Sequence, residues 1–362
     1  MAISRFFISG VKLWAVFSLI VIVVVFKIKE NPAFYLTPDS HYYLQAAQNL
    51  LDGHGYRIIF EGKDTFCAIW PVGYAASIGL TSFITTLPVD TASKLVNLLA
   101  LAGCFWLLQV RYQDRAWFLA LVFMASSLVQ MFANTWSETL FLFFVLGYVH
   151  NQNNRSGFLW ATCAFLSRYA GVFLLIQMMF KRRFIPVFLL LLFVSSYLIF
   201  NYSQTQTFTG GHGFLPNEPF LTRCGRGVKG LGEEVLFFFL RDWGLKNPQI
   251  DTMTLWLIYG VAVIQFSILF YVIKHLSRVD ILANWLKNDY FIIATSYLVF
   301  MVGLYLIDAS IENLYFRRLA PFSFFAYLGL LDEISHRKEI YEKIKGPMVM
   351  FFVLSLFHAW PK

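Results

Sequence analysis

Apolar runs dominate the chain, at residues 11–26, 71–87, 95–110, 116–133, 138–150, 157–180, 184–202, 253–273, 289–307, 318–331 and 346–360, with short polar patches between them. Most approach the length of about 17–25 residues that a helix needs to cross a bilayer. Lipid offers no partner for a backbone N–H or C=O, and the alternation of a barrel strand is absent, so each run is predicted to be helical. The pattern predicts an all-α polytopic integral membrane protein. No internal repeat, low-complexity tract or linker interrupts it, so residues 1–362 read as a single transmembrane domain.

Two runs resist reading as simple spans. Run 71–87 carries Pro71, Gly73 and Gly79 and is followed by Pro88, which make a poor continuous helix. Run 157–180 contains Arg168, and a charge at the bilayer centre is costly. Loop charges relate the two. Arg5, Lys12, Arg111, Arg115, Arg155, Lys181 to Arg183, Lys274 to Arg278 and Arg337 to Lys345 occupy short connections, which the positive-inside rule puts in the cytoplasm. All can be cytoplasmic if 71–87 is a juxtamembrane segment and 157–180 is two half-helices with Arg168 near the external face. The N-terminus is then inside and the C-terminus outside, and residues 27–94 and about 203–252 form two long external loops. Loops of that length commonly carry function.

Composition agrees with the threading. Apolar residues make up 58% of the 362 positions and charged residues 14%; mean hydropathy is +0.60. The 40 Phe, 18 Tyr and 10 Trp suit lipid-facing helices and interfacial belts. The net charge of +8 follows from the basic loops, and no basic stripe interleaved with aromatics suggests nucleic acid. Leu13 to Phe26 lacks a small-x-small cleavage site before Lys27 and reads as a retained anchor. Cys104 and Cys163 lie in apolar runs, whereas Cys67 and Cys224 lie in the two long loops. A disulfide between that last pair would need both loops in an oxidising compartment. In the second loop, Glu233 and Glu234 are expected to begin a membrane-surface helix over 233–243, with Phe237, Phe238 and Phe239 against lipid.

The first loop holds the candidate chemistry. Asp39 follows Pro38 and precedes a helical pattern in which Tyr43, Ala46, Ala47, Leu50 and Leu51 share a face, and Gly53 and Gly55 end it. A carboxylate near a helix N-terminus is favoured, and taken alone Asp39 would be only a cap. The wider pattern adds Leu50-Leu51-Asp52-Gly53-His54-Gly55-Tyr56, Trp70-Pro71-Val72-Gly73-Tyr74, Asn134-Thr135-Trp136-Ser137-Glu138 and Ser167-Arg168-Tyr169-Ala170-Gly171. Weaker echoes are Leu95-Val96-Asn97 and Arg317-Arg318-Leu319-Ala320-Pro321. In order and spacing these resemble the polyprenyl-phosphate-sugar-dependent glycosyltransferases of the GT-C superfold. That group includes the family 39-like protein mannosyltransferases and the bacterial aminoarabinose transferases. Many members have Pro-Pro-Gly-Tyr where this chain has Trp-Pro-Val-Gly-Tyr. The match covers about residues 30–185 well and the rest loosely.

The resemblance implies a GT-C type helical bundle whose first external loop contains a juxtamembrane helix, here without the soluble domain that larger members append. It implies an inverting transfer of sugar from a polyprenyl-phosphate donor to a lipid, glycan or protein acceptor, at the outer face of a bacterial inner membrane. Asp39 would be the general base and Glu138 a second acidic site residue, positioning the acceptor or sharing a divalent ion (Mg or Mn) with Asp39. Arg168 and one of Arg317 and Arg318 would hold the lipid phosphate, and His41, Tyr42 and Tyr74 would line the site. Two other readings stay open: a transporter or flippase of lipid-linked sugars, which would predict matching internal repeats, and a non-catalytic component of a polysaccharide assembly complex.

Overall fold

The computed structural model describes residues 2–210, 219–237, 252–276, 285, 287–307, 314 and 316–359. Its helices are α1 (Ala2–Glu30), α2 (Pro38–Leu51), α3 (Gly73–Thr85), α4 (Val89–Tyr112), α5 (Ala116–Leu119), α6 (Ser126–Ala133), α7 (Glu138–Asn151), α8 (Ser156–Ser167), α9 (Leu174–Phe180), α10 (Phe184–Thr205), α11 (Phe220–Val235), α12 (Thr252–Leu276), α13 (Asp289–Ile307), α14 (Phe316–Ser335) and α15 (Lys338–Ala359). Among the described residues, five segments are long and apolar enough to cross a membrane: Gly10–Glu30, Val89–Met124, Phe184–Thr205, Tyr259–Leu276 and Asp289–Ile307. The fold is the expected all-α polytopic membrane class, with one small hairpin added.

The chain divides into two compact units. One comprises Val21–Arg111 and Met131–Gly213; the other comprises Met1–Ile20, Tyr112–Gln130 and Phe214–Lys362.

In the first unit, both irregular runs take the form their sequence suggests. Helix α3 has 13 residues, about 20 Å at the rise of an α-helix, too short for a hydrocarbon core of about 30 Å. It packs on α2, and the shared core includes Tyr43, Ala46, Ala47, Tyr74, Ala75 and Ile78. Helix α8 stops at Ser167. Arg168 is extended (φ −153°, ψ 137°), a 3-10 turn covers Tyr169–Phe173, and α9 resumes the helix. Gly171 permits this break: a Cβ there would stand 2.5 Å from the Phe165 amide nitrogen.

The hairpin was not anticipated. Strands β1 (Arg57–Phe60) and β2 (Lys63–Phe66) pair antiparallel, with Arg57 opposite Phe66 and Phe60 opposite Lys63. Glu61 and Gly62 both take positive φ (51° and 76°), the requirement of a two-residue turn that matches strand twist. Ile58 is buried against α2, and Asn49 Nδ2 donates to the Arg57 carbonyl (2.8 Å).

The second unit corrects two expectations. Run 116–133 is not a single span. It breaks into α5, a 3-10 turn over Ala120–Met124, and α6. Ala125 turns extended, and the Ser126 amide and hydroxyl then donate to Ser355 Oγ (2.9 Å) and the Phe237 carbonyl (2.8 Å). The polar contacts compensate backbone groups that the break releases. Glu233 and Glu234, expected to begin a helix over 233–243, instead lie at the end of α11, Phe220–Val235, with 238–243 outside the described residues, and Phe237 is fully buried among Tyr327, Phe351 and Phe352, not set against lipid. Phe238 and Phe239 lie outside the described residues.

Candidate functional site

The N-terminus of α2 is capped without the Asp39 carboxylate. Thr37 is the N-cap, and Ser40 Oγ accepts the Thr37 amide (3.0 Å). The two hydroxyls also meet at 3.0 Å, closing a reciprocal box of the capping type with Ser in the place usually held by Glu or Gln. Trp136 Nε1 donates to Thr37 Oγ1 (2.8 Å), and Ser40 Oγ donates to the Thr135 carbonyl (3.1 Å). Asp39 sits half-buried in the first turn, next to this box.

Segment 134–137 is the hub of this arrangement. Beyond Thr37 and Ser40, it receives Tyr43 OH at Ser137 Oγ (3.1 Å), Ser93 Oγ at Thr135 Oγ1 (2.8 Å) and Asn97 Nδ2 at the Asn134 carbonyl (2.6 Å). Lys94 Nζ donates to the Tyr35 carbonyl (3.1 Å) and the Ala133 carbonyl (2.7 Å), joining the approach to α2 with the approach to the hub. The side chains of Ser40, Ser93, Asn97, Thr135 and Ser137 are all buried, and buried polar groups stabilise a structure only when paired. Helix α7 begins directly after the hub, so Glu138 is placed by the same bonds that hold α2.

Glu138 is fully buried and forms an ion pair with Arg168 Nη1; the Arg168 side chain keeps 19% exposure. The unwound residue at the α8 break thus meets the first residue of α7. Asp39, Glu138 and Arg168 share one unit. Tyr74 is fully buried, donates to Asn97 Oδ1 (3.1 Å) and packs edge-on against Tyr43 (5.0 Å between centroids). Its hydroxyl bond ties α3 to α4. His41 is exposed, and Tyr42 stacks on Trp70 with centroids 5.5 Å apart. Arg317 and Arg318 belong to the other unit, at the start of α14, where the Arg318 carbonyl accepts from Tyr297 OH (2.9 Å). Sequence reasoning missed Lys94 and the hub serines. The available signal was a lysine in the first turns of an otherwise apolar helix, which needs partners.

A divalent ion shared by Asp39 and Glu138 would have to compete with Arg168 for the Glu138 carboxylate. Glu138 is already neutralised by a guanidinium, and among the described residues no three His, Cys, Asp or Glu side chains are grouped for a metal. The disulfide left open between Cys67 and Cys224 is not formed: all four cysteines are free. Cys67 is buried, and burial pushes its thiol up from its ordinary value.

These features define a multi-pass membrane protein whose first loop bears a structured acidic site. No family model and no curated protein matches the chain. Among solved structures it is similar to the crystal structure of ArnT from Cupriavidus metallidurans in the apo state, with 11% sequence identity, coverage of 89% of this chain and 73% of that one, and a TM-score of 0.36.

Proposed function

We propose that the protein is a membrane glycosyltransferase of the GT-C type that moves a sugar from a polyprenyl-phosphate donor to an acceptor hydroxyl or amine. The observation that carries this reading is the ion pair of buried Glu138 with the partly exposed Arg168 at the break after α8, in the same compact unit as the first-turn Asp39 of α2. The order of the sequence motifs supports the same assignment.

In the proposed step Asp39 removes the acceptor proton. The acceptor atom attacks the anomeric carbon, and the bond from that carbon to the phosphate oxygen breaks. The electron pair leaves with the polyprenyl phosphate. One base and one in-line displacement give inversion. The guanidinium of Arg168, partly exposed and anchored by Glu138, grips the donor phosphate and stabilises the charge that develops on it. Glu138 acts through Arg168 as a positioning residue. The motif resemblance, and not geometry, puts Arg317 or Arg318 on the same phosphate.

The test compares lipid-linked sugars and glycans in cells with wild-type protein, with Asp39→Asn and with none. The expected result is that Asp39→Asn inserts and unfolds like wild type but accumulates the donor and makes no product. Wild-type product levels in that variant would sink the mechanism. A flippase would instead shift the donor across the bilayer without consuming it.

A further inference from the structure

The face of α2 beside Asp39 opens a pocket of about 500 Å3 lined by Pro38, His41, Tyr42, Gln45 and Ile59. That volume lies within the ~300–1,000 Å3 usual for small-molecule sites. The four helical residues stand at i, i+3, i+4 and i+7, one stripe of the helix. The buried positions Ser40, Tyr43, Ala46 and Ala47 occupy the other side. Asp39, one residue after Pro38, falls at the boundary between stripe and core, which accounts for its half-burial.

We propose that this pocket is the acceptor subsite and that it takes one neutral sugar ring; the proposal rests on the glycosyltransferase reading of Asp39. The lining chemistry selects the ligand class. Pro38 and Ile59 are apolar, and Ile59 is 56% exposed, so C–H faces have surface to cover. Tyr42 is held in place by its stack on Trp70 and its contact with Phe60 (centroids 5.9 Å apart). A fixed ring adds contact area at little entropic cost. Gln45 has a settled orientation. Its Oε1 accepts the Ile59 amide (2.9 Å), which only the oxygen can do, so its NH2 end points the other way as a donor. His41 supplies a second polar group, and the Tyr42 hydroxyl a third. The lining holds no lysine or arginine, so no permanent cation here compensates a phosphate. A ring with apolar faces and hydroxyl edges matches the wall, whereas a lipid phosphate matches Arg168.

The experiment uses the full chain in nanodiscs of phosphatidylethanolamine and phosphatidylglycerol, free of sugar-headed detergent. Binding of a panel of methyl glycosides is followed by saturation-transfer NMR for wild type, Asp39→Asn, Gln45→Leu and His41→Ala, with thermal unfolding as the folding control. Wild type and Asp39→Asn are expected to bind the same glycoside. Gln45→Leu and His41→Ala should each weaken it about fivefold, the effect of one hydrogen bond worth ~1 kcal/mol. In transfer assays the same two variants should raise the acceptor KM and leave the donor KM unchanged. Equal glycoside binding by wild type and both variants, or transfer by a wild type that binds no glycoside, overturns the proposal. Loss of the transferase reading looks different: glycosides would bind as described, yet Asp39→Asn would leave cellular glycans unaltered, and the pocket would not be an acceptor subsite.

Discussion

The Glu138–Arg168 pair allows a prediction whose size follows from burial. Glu138 has no exposed surface and Arg168 retains 19%. Removing one member of a buried pair generally costs ~3–5 kcal/mol, because the survivor is left charged and poorly solvated. The two single variants should therefore differ. Arg168→Met leaves the carboxyl of Glu138 with no route to water and should cost about 3–5 kcal/mol, limited by the proton that the carboxyl can take up. Glu138→Gln leaves a guanidinium that can turn partly outward, and its amide oxygen still accepts, so the cost should be nearer ~1–3 kcal/mol. In the double variant neither charge survives, and it should be no less stable than Arg168→Met alone. The coupling energy is then about 1–3 kcal/mol, in the range for residues in direct contact. The assay is unfolding in mixed detergent–SDS micelles, followed by tryptophan fluorescence, for wild type, both singles and the double. Costs that add to within ~0.5 kcal/mol would refute the pairing, and with it the role of Glu138 as an anchor for Arg168.

Three further outcomes follow from other parts of the molecule. Gly73→Ala would place a Cβ 2.6 Å from the Leu166 carbonyl oxygen, a backbone atom that cannot step aside; it should lower the unfolding midpoint, whereas Gly10→Ala, with nothing within 4 Å, should not. Glu234 is buried against Ser127 Oγ (3.0 Å) and Ser323 Oγ, and burial pushes its carboxyl up to about 8. The folded state then holds a proton that the unfolded chain releases near its ordinary 4.5, so stability should fall as pH rises from about 4.5 to about 8 and level off above; Glu234→Gln should flatten that part of the profile of unfolding midpoint against pH, and an unchanged slope would contradict the assignment. Finally, thiol labelling after denaturation without reductant should count four free cysteines, and Cys67 should resist maleimide in the native state because it is buried; two protected thiols after denaturation would restore the disulfide.

What the sequence made legible were features with a strong local or energetic cause. Pro38 with Asp39 at one end and Gly53 and Gly55 (φ 77° and 82°) at the other bounded α2. The cost of an arginine in a 24-residue apolar run forced the break at Arg168, and two prolines with two glycines shortened the run at 71–87. Features decided by packing were harder to read. Gly225, Gly227, Gly230 and Gly232 argue against a helix over 220–235 by propensity alone. Yet Gly230 has no Cβ to keep the Leu314 carbonyl away, and α11 forms there, with Arg223 Nε donating to the Tyr305 carbonyl (2.6 Å). Run 116–133 has the composition of a span, and only the distant Ser355 and Phe237 carbonyl make its break affordable. The hairpin did have a signal, Glu61-Gly62 between β-prone residues, which the membrane pattern overshadowed.

The candidate site was legible as a set of residue types but not as a mechanism of support. Sequence order grouped Asp39, Glu138 and Arg168, and it could not say which were paired. The structure separates them: Glu138 is committed to Arg168, whereas the capping of the Asp39 helix is carried by hydroxyls. The hub at 134–137 gives that separation its consequence. One short segment is bonded to Thr37 and Ser40 on one side and starts α7 with Glu138 on the other, so a shift in it would move the acid of the first loop and the anchor of Arg168 together. Lys94 locks the hub by joining the carbonyls of Tyr35 and Ala133. Lys94→Met would remove the Lys94 donor from both carbonyls; Tyr35 keeps the Thr135 amide (3.3 Å), so the cost is ~1–3 kcal/mol for the Ala133 carbonyl where it stays buried. If the hub sets the distance between base and phosphate anchor, the variant should lose kcat while glycoside binding to the α2 pocket persists, because Pro38, His41, Tyr42 and Gln45 ride on a helix whose own cap remains intact. Loss of both together would mean that Lys94 serves only to keep the unit folded.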